Sequence, residues 1–149
     1  MAALLMAGGI AHGQTPPARP AWQPGLADLM LMTVQPRHLK LGLGGQERNW
    51  DYAAFAVHEL EETLEHVGVL VPTWRGHDIA ASIKGTTAAP IEAVEKAIKA
   101  KDGKAFDAAF AQLTASCNAC HHSAGMGVVV IQVPKASPYA NQDFRPAKP

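Results

Sequence analysis

The chain has 149 residues, which is enough for one domain with a substantial hydrophobic core. Its composition is globular with an apolar bias, since 48% of the residues are hydrophobic and 17% are charged. Thirteen basic residues balance thirteen acidic ones, so the formal net charge at pH 7 is zero. The composition therefore lacks the basic excess of a nucleic-acid-binding protein, and we expect no nucleic-acid partner.

Residues 1–13 form a short apolar run that ends in small residues, which predicts a secretory signal peptide. The positively charged residues that usually begin a signal peptide are missing, because the first basic residue is Arg19. We therefore expect a truncated or atypical signal. A short N-terminal helix is the alternative. The run is too short to span a bilayer, and no stable membrane span is expected. Export predicts a periplasmic protein.

The next stretch, 14–25, holds four prolines and no periodicity, which predicts a linker. From Leu26 the apolar residues recur with helical spacing and predict the first helix. Pro36 is expected to kink this helix or to end its first half. The glycines between positions 42 and 45 are expected to stop it.

A second helix is predicted to begin at Asn49, a favoured N-cap residue, and to end at 71–72 with Val-Pro. The segment after it predicts a short helix over 78–84, which Gly85 breaks. Pro90 then fits the first turn of a third helix, whose lysines lie toward its C-terminal end.

The fourth helix is predicted to follow an N-cap at Asp102 and to end near Gly125. Its apolar stripe advances by steps of four, three, four and three residues through Phe106, Phe110, Leu113, Cys117 and Cys120. Together these elements predict an all-α fold, an antiparallel up-down-up-down four-helix bundle over residues 26–124.

The stretch Cys117-Asn-Ala-Cys-His121 is the attachment pattern of a c-type haem. Each thiol bonds to one vinyl group on the same edge of the porphyrin, and the histidine that follows places an imidazole nitrogen under the iron. A helical turn meets both requirements, with the cysteines at i and i+3 and the histidine at i+4. We therefore expect one covalent haem c, bound through thioether bonds by Cys117 and Cys120, with His121 as an axial iron ligand.

Two other cysteine chemistries fit this pattern less well. A structural zinc site needs four ligands, usually including a second Cys or Cys/His pair, and the chain has only two cysteines. A dithiol redox motif starts a helix, whose N-terminus lowers the thiol pKa. Here the motif ends a helix, where the helix dipole disfavours a thiolate.

Residues 125–149 are predicted to form an extended C-terminal arm. Within it, 128–133 is a β-prone run with no partner strand evident elsewhere. Because a lone strand is not independently stable, we expect the run to pack over the bundle or the haem edge. Pairing with a second copy of the chain, in a homodimer, is the alternative.

The ligand on the other face of the iron separates the candidate functions. In an up-down bundle the start of the first helix lies level with the end of the fourth, which makes Met30 the first candidate to oppose His121. His38 lies eight residues further on, about 12 Å along the helix axis, and is the second candidate. Otherwise Arg37, His38 and Lys40 are expected to bind the haem propionates. An iron without a second strong ligand is the third alternative.

These elements resemble the cytochrome c-prime superfamily, exported four-helix-bundle cytochromes with Cys-x-x-Cys-His near the end of the last helix. A methionine, or a residue that does not bind iron, stands early in their first helix. More closely, most of residues 25–145 resembles a set of small bacterial c-type cytochromes. The matching stretches are 37–41, 49–50, 97–102, 117–121, 130–132 and 141–144. The stretch Arg-His-x-Lys-Leu recurs in these relatives and favours His38, whereas the added arm departs from the c-prime pattern.

The resulting functional prediction is a periplasmic electron carrier whose haem exchanges single electrons with a redox partner protein. The alternative is a five-coordinate, c-prime-like cytochrome that binds small gas ligands such as NO or CO. No catalytic triad, phosphate-binding loop or acid–base pair is evident, so we expect no enzymatic activity.

Overall fold

The computed structural model describes residues 22–148. The predicted signal, 1–13, and most of the predicted linker lie outside the described residues. Within the described range the chain is mostly helical, with four helices and one small hairpin, which confirms the helical prediction at this coarse level. The first helix, α1, consists of an α-helical turn Leu26–Leu29, a π-helical stretch Met30–Val34 and an α-helix Gln35–Gln46. The others are α2, Trp50–Leu70; α3, Ile79–Ala100; and α4, Gly103–Ser123.

Helices that follow each other in the chain contact each other, and α1 also contacts α4. A hairpin of β1, Thr73–Trp74, and β2, His77–Asp78, joins α2 to α3. The apolar faces of the helices enclose one core, in which Phe106, Phe110 and Leu113 of α4 are almost completely buried. No helix among residues 22–148 is long and apolar enough to cross a membrane.

The first helix does not end where the sequence predicted. It stays helical through Pro36, and the π-helical stretch ends two residues before that proline. The N–H of Gln35 donates to the carbonyl of Met30, five residues earlier, which is the wide turn of a π-helix. This turn comes directly before Pro36, which has no N–H to donate.

The glycines between 42 and 45 also lie inside α1, so the prediction that they stop the helix is wrong. They are buried where the helix approaches aromatic rings. A Cβ on Gly42 would lie 2.7 Å from the Phe110 ring, and one on Gly45 would overlap the Phe106 ring. Gly42 and Gly45 therefore allow close packing of α1 on α4 instead of ending α1.

The predicted starts of α2 and α4 are confirmed. The Asn49 side chain accepts a hydrogen bond from the Tyr52 N–H, and the Asp102 carboxylate accepts from the N–H groups of Lys104 and Ala105. The last residue of α2 is Leu70, as the following Val-Pro predicted. Caps of this kind satisfy N–H groups that have no partner within the helix.

The third helix is one continuous element, so the predicted break at Gly85 and new start at Pro90 are wrong. Its actual N-cap is Asp78, whose carboxylate accepts from the Ala81 N–H at 2.9 Å. Buried residues recur along its whole length, and tertiary packing of that face outweighs the local cost of one glycine and one proline.

The C-terminal arm, residues 124–148, contains no strand and returns along the bundle. The Gln46 side chain donates to the Pro134 carbonyl at 3.0 Å. Further on, Phe144 is buried edge-on against Tyr52, and Asn49 donates to the Phe144 carbonyl at 3.1 Å. These contacts attach the arm at the end of α1 and at the junction of α1 with α2.

Candidate haem attachment site

The cysteines and the histidine of the motif lie in the last two turns of α4. Cys117 and Cys120 are free thiols three residues apart, so both project to one side of the helix. The two thiols and the imidazole of His121 are all half-buried. The motif thus has the helical geometry that attachment to one porphyrin requires.

The surroundings of the thiols keep them protonated. Burial raises the pKa of Cys117 to about 11, and the neighbouring Cys120 adds to that rise. Burial also raises the pKa of Cys120, although a hydrogen bond with Thr86 of α3 partly opposes the change. A dithiol redox site needs the opposite change, a lowered thiol pKa.

The imidazole of His121 has a defined partner. Its Nδ1 lies 3.0 Å from the carbonyl oxygen of Val129 in the arm. Because a carbonyl can only accept, Nδ1 of the neutral ring carries the proton and Nε2 is left with its lone pair. This tautomer is the one in which Nε2 can bind iron, so the residues present fit an axial ligand.

His38 lies inside the contact between α1 and α4. It is buried, its ring stacks on Phe110 with centroids 4.7 Å apart, and its Nε2 lies 2.9 Å from the Thr114 hydroxyl. Thr114 donates its own proton to the Phe110 carbonyl, so its oxygen accepts from the His38 Nε2–H. The sequence suggested this residue as an iron ligand or propionate partner, and in the structure its Nε2 is engaged within the core.

Because His38 is buried, we expect the free energy of unfolding to fall in acid. Burial lowers its pKa from 6.5 to about 4, so below pH 6.5 the unfolded chain binds a proton that the folded chain does not. The free energy of unfolding should fall between pH 6.5 and 4, by roughly 3 kcal/mol at most, and this contribution should be constant above pH 6.5. Denaturant titrations across this range would measure the fall.

The matched variants are His38→Gln, which keeps an N–H donor for Thr114, and His58→Gln on the exposed surface of α2. His38→Gln should lose most of the dependence on pH, whereas His58→Gln should retain it. An unchanged slope in His38→Gln would show that other groups cause the acid sensitivity.

Arg37 lies between α1 and α2. Its guanidinium donates to the Thr33 carbonyl at 3.2 Å and lies 3.6 Å from a carboxylate oxygen of Glu59. Its Nε is buried and has no hydrogen-bond partner among residues 22–148. These contacts do not bring Arg37 to the cysteines.

Met30 is the first residue of the π-helical stretch and packs, partly buried, against the core. Met32, only two residues further on, is 66% exposed. Histidines 58, 66 and 122 are exposed to solvent.

Sequence reasoning missed two residues of this site: Val129 of the arm, which is the partner of His121, and Asn118 of α4, whose side chain bonds to the arm at Ile131. The available signal was an asparagine between the cysteines followed by a β-prone run, because an asparagine amide can pair with extended backbone. Within residues 22–148, no three His, Cys, Asp or Glu side chains form a group that could hold a metal ion by themselves. Comparisons of the chain with protein-family models, curated proteins and solved structures gave no match.

Proposed function

We propose that this protein is a c-type cytochrome that carries single electrons in the periplasm and exchanges them with a redox partner protein. The observation that carries the proposal is the end of α4, where two thiols lie one turn apart and the next side chain offers a free imidazole Nε2. Haem supplies a one-electron iron centre when it is bound. A relationship to the cytochrome c-prime superfamily is part of the same proposal.

In this proposal each residue of the motif has a separate role. Cys117 and Cys120 each add their S–H across one vinyl group, so that two thioether bonds fix the porphyrin edge to α4. His121 binds iron through Nε2 while its Nδ1–H donates to the arm. The half-buried position of all three side chains would shield the iron and leave one porphyrin edge near the surface for electron exchange.

The proposed architecture is the antiparallel up-down-up-down bundle. Contacts between α1 and α4 support it because they run in opposite chain directions: Gly45 meets Phe106, and His38 meets Thr114. Moving back seven residues on α1 thus corresponds to moving forward eight residues on α4. The contacts of α1 with α2 also follow a reversed order, since Gly44 meets Tyr52 and Arg37 lies near Glu59.

The same register supports Met30 as the second axial ligand. From the contact of His38 with Thr114, Met30 is eight residues back along α1 and His121 is seven residues forward along α4. At 1.5 Å per residue both lie about 10 to 12 Å from that contact, at the same level of the bundle. The burial of His38 against Phe110 favours Met30 further. A thioether ligand would raise the reduction potential.

Expression of the full chain with a c-type maturation system would test the proposal. We expect covalently bound haem and the visible spectrum of a six-coordinate, low-spin iron. Met30→Ala should convert the ferrous spectrum to a high-spin form, and Met32→Ala, at an exposed position, should leave it unchanged. Low-spin bands that persist in Met30→Ala would exclude Met30 and direct attention to His38.

Two other outcomes would change the proposal itself. A wild-type protein without covalent haem would contradict it. High-spin, five-coordinate bands that shift with carbon monoxide or nitric oxide would instead support the gas-binding alternative.

A further inference from the structure

The arm is attached to the haem motif through the side chain of Asn118. Its Nδ2 donates to the Ile131 carbonyl at 2.8 Å, and its Oδ1 accepts from the Ile131 N–H at 2.7 Å. This pair of bonds reproduces the pattern that a neighbouring strand would make, with an amide side chain in place of a backbone. The residue lies between the two cysteines, so the attachment point belongs to the motif itself.

The Ile131 backbone and the Val129 carbonyl face the same helix. In extended backbone, groups two residues apart point to the same side, so holding Ile131 against α4 also directs the Val129 carbonyl towards it. That carbonyl accepts from His121 Nδ1 at 3.0 Å. The start of the arm is fixed as well, because the Met126 N–H donates to the His121 carbonyl at 2.7 Å.

Burial of apolar side chains accounts only in part for the position of this segment. Val128 is 88% exposed and Val130 is 65% exposed, so neither gains much from removal from water. Val129 is 38% exposed and Ile131 is half-buried, so these two contribute more. The polar contacts at Asn118, His121 and Met126 add the direction that burial alone does not give.

We propose that Asn118 is a positioning residue for the axial ligand: by holding Ile131, it keeps the Val129 carbonyl against Nδ1 of His121. The inference rests on the proposed haem attachment. A hydrogen bond from the second ring nitrogen orients a ligating imidazole and makes it more basic, which favours the oxidised iron. The Asn118 side chain thus acts through the arm and lowers the reduction potential without touching the iron.

The test uses the haem-loaded full chain and compares Asn118→Ala with Ser123→Ala. Ser123 is the matched control, because its hydroxyl bonds to the Cys120 carbonyl within α4. In Asn118→Ala we expect full haem content, a higher midpoint potential and faster hydrogen exchange of the Ile131 amide. In Ser123→Ala we expect the wild-type potential and exchange rate.

Ile131→Pro weakens the same contact from the side of the arm: proline has no N–H to donate to Asn118, although its carbonyl can still accept from Asn118 Nδ2. This variant should also raise the midpoint potential, and combining it with Asn118→Ala should raise that potential little further. If the effects of the two substitutions on the midpoint potential do not add, both substitutions act through the same contact.

The inference is overturned if Asn118→Ala binds haem at the wild-type potential, even when the Ile131 amide exchanges faster. Asn118 would then anchor the arm without influencing the iron. An unchanged exchange rate would contradict the contact itself. Failure of the proposed function is distinguishable from both outcomes, because the wild-type chain would then carry no covalent haem.

Discussion

Gly45→Ala is expected to destabilise the fold by about 2 kcal/mol or more, despite placing a better helix former inside α1. A Cβ at this position would overlap the Phe106 ring. Phe106 is fully buried and is in contact with Phe110 and Trp50, so its ring cannot move without disturbing these neighbours. Relief requires either a shift of these rings or a separation of α1 from α4, and both loosen the core.

Gly85→Ala provides the matched control. Gly85 also lies inside a helix, α3, but a Cβ there would meet nothing within 4 Å. This variant should gain roughly 0.5 to 1 kcal/mol, the usual difference between glycine and alanine in a helix. Denaturant unfolding of both variants measures the contrast. Equal or greater stability of Gly45→Ala would mean that α1 does not approach α4 as closely as described.

These two glycines also illustrate what the sequence could predict of the fold. The starts of α2 and α4 were predictable because an N-cap such as Asn49 or Asp102 acts on residues two or three positions away. Whether a glycine ends a helix or makes room for a neighbour depends on distant residues. The ring that explains Gly45 stands 61 positions later in the chain, so a local pattern could not identify it.

The candidate site was also predictable from the sequence only in part. Cys117, Cys120 and His121 were identifiable as candidates because attachment to one porphyrin would require a fixed local spacing. The partner of His121 was not, because Val129 lies in an arm without helical periodicity, and its position depends on the contact of Asn118 with Ile131.

The roles suggested for His38 show a third limit of prediction from the sequence. A buried histidine can face either a cofactor or a core, and its identity alone does not decide between them. The neighbours of His38 depend on how α1 packs against α4, and the buried glycines of α1 permit that close packing. The sequence named the relevant residues here but could not assign their neighbours.

Changing both motif cysteines to serine, Cys117→Ser with Cys120→Ser, should abolish covalent haem attachment while preserving the helical fold. Serine matches cysteine closely in size, but its hydroxyl is a far weaker nucleophile than a thiol and does not replace it in forming a thioether. Each single variant should retain one thioether bond. Haem content after denaturation and acid extraction measures attachment, and circular dichroism measures the fold.

The informative control is Ala119→Ser, which introduces a hydroxyl between the cysteines at an exposed position and removes no thiol. It should keep covalent haem at the wild-type level, so a loss confined to the double variant would be caused by the missing thiols and not by altered polarity of the helix. Haem that stays bound through denaturation in the double variant would contradict thioether attachment at these positions.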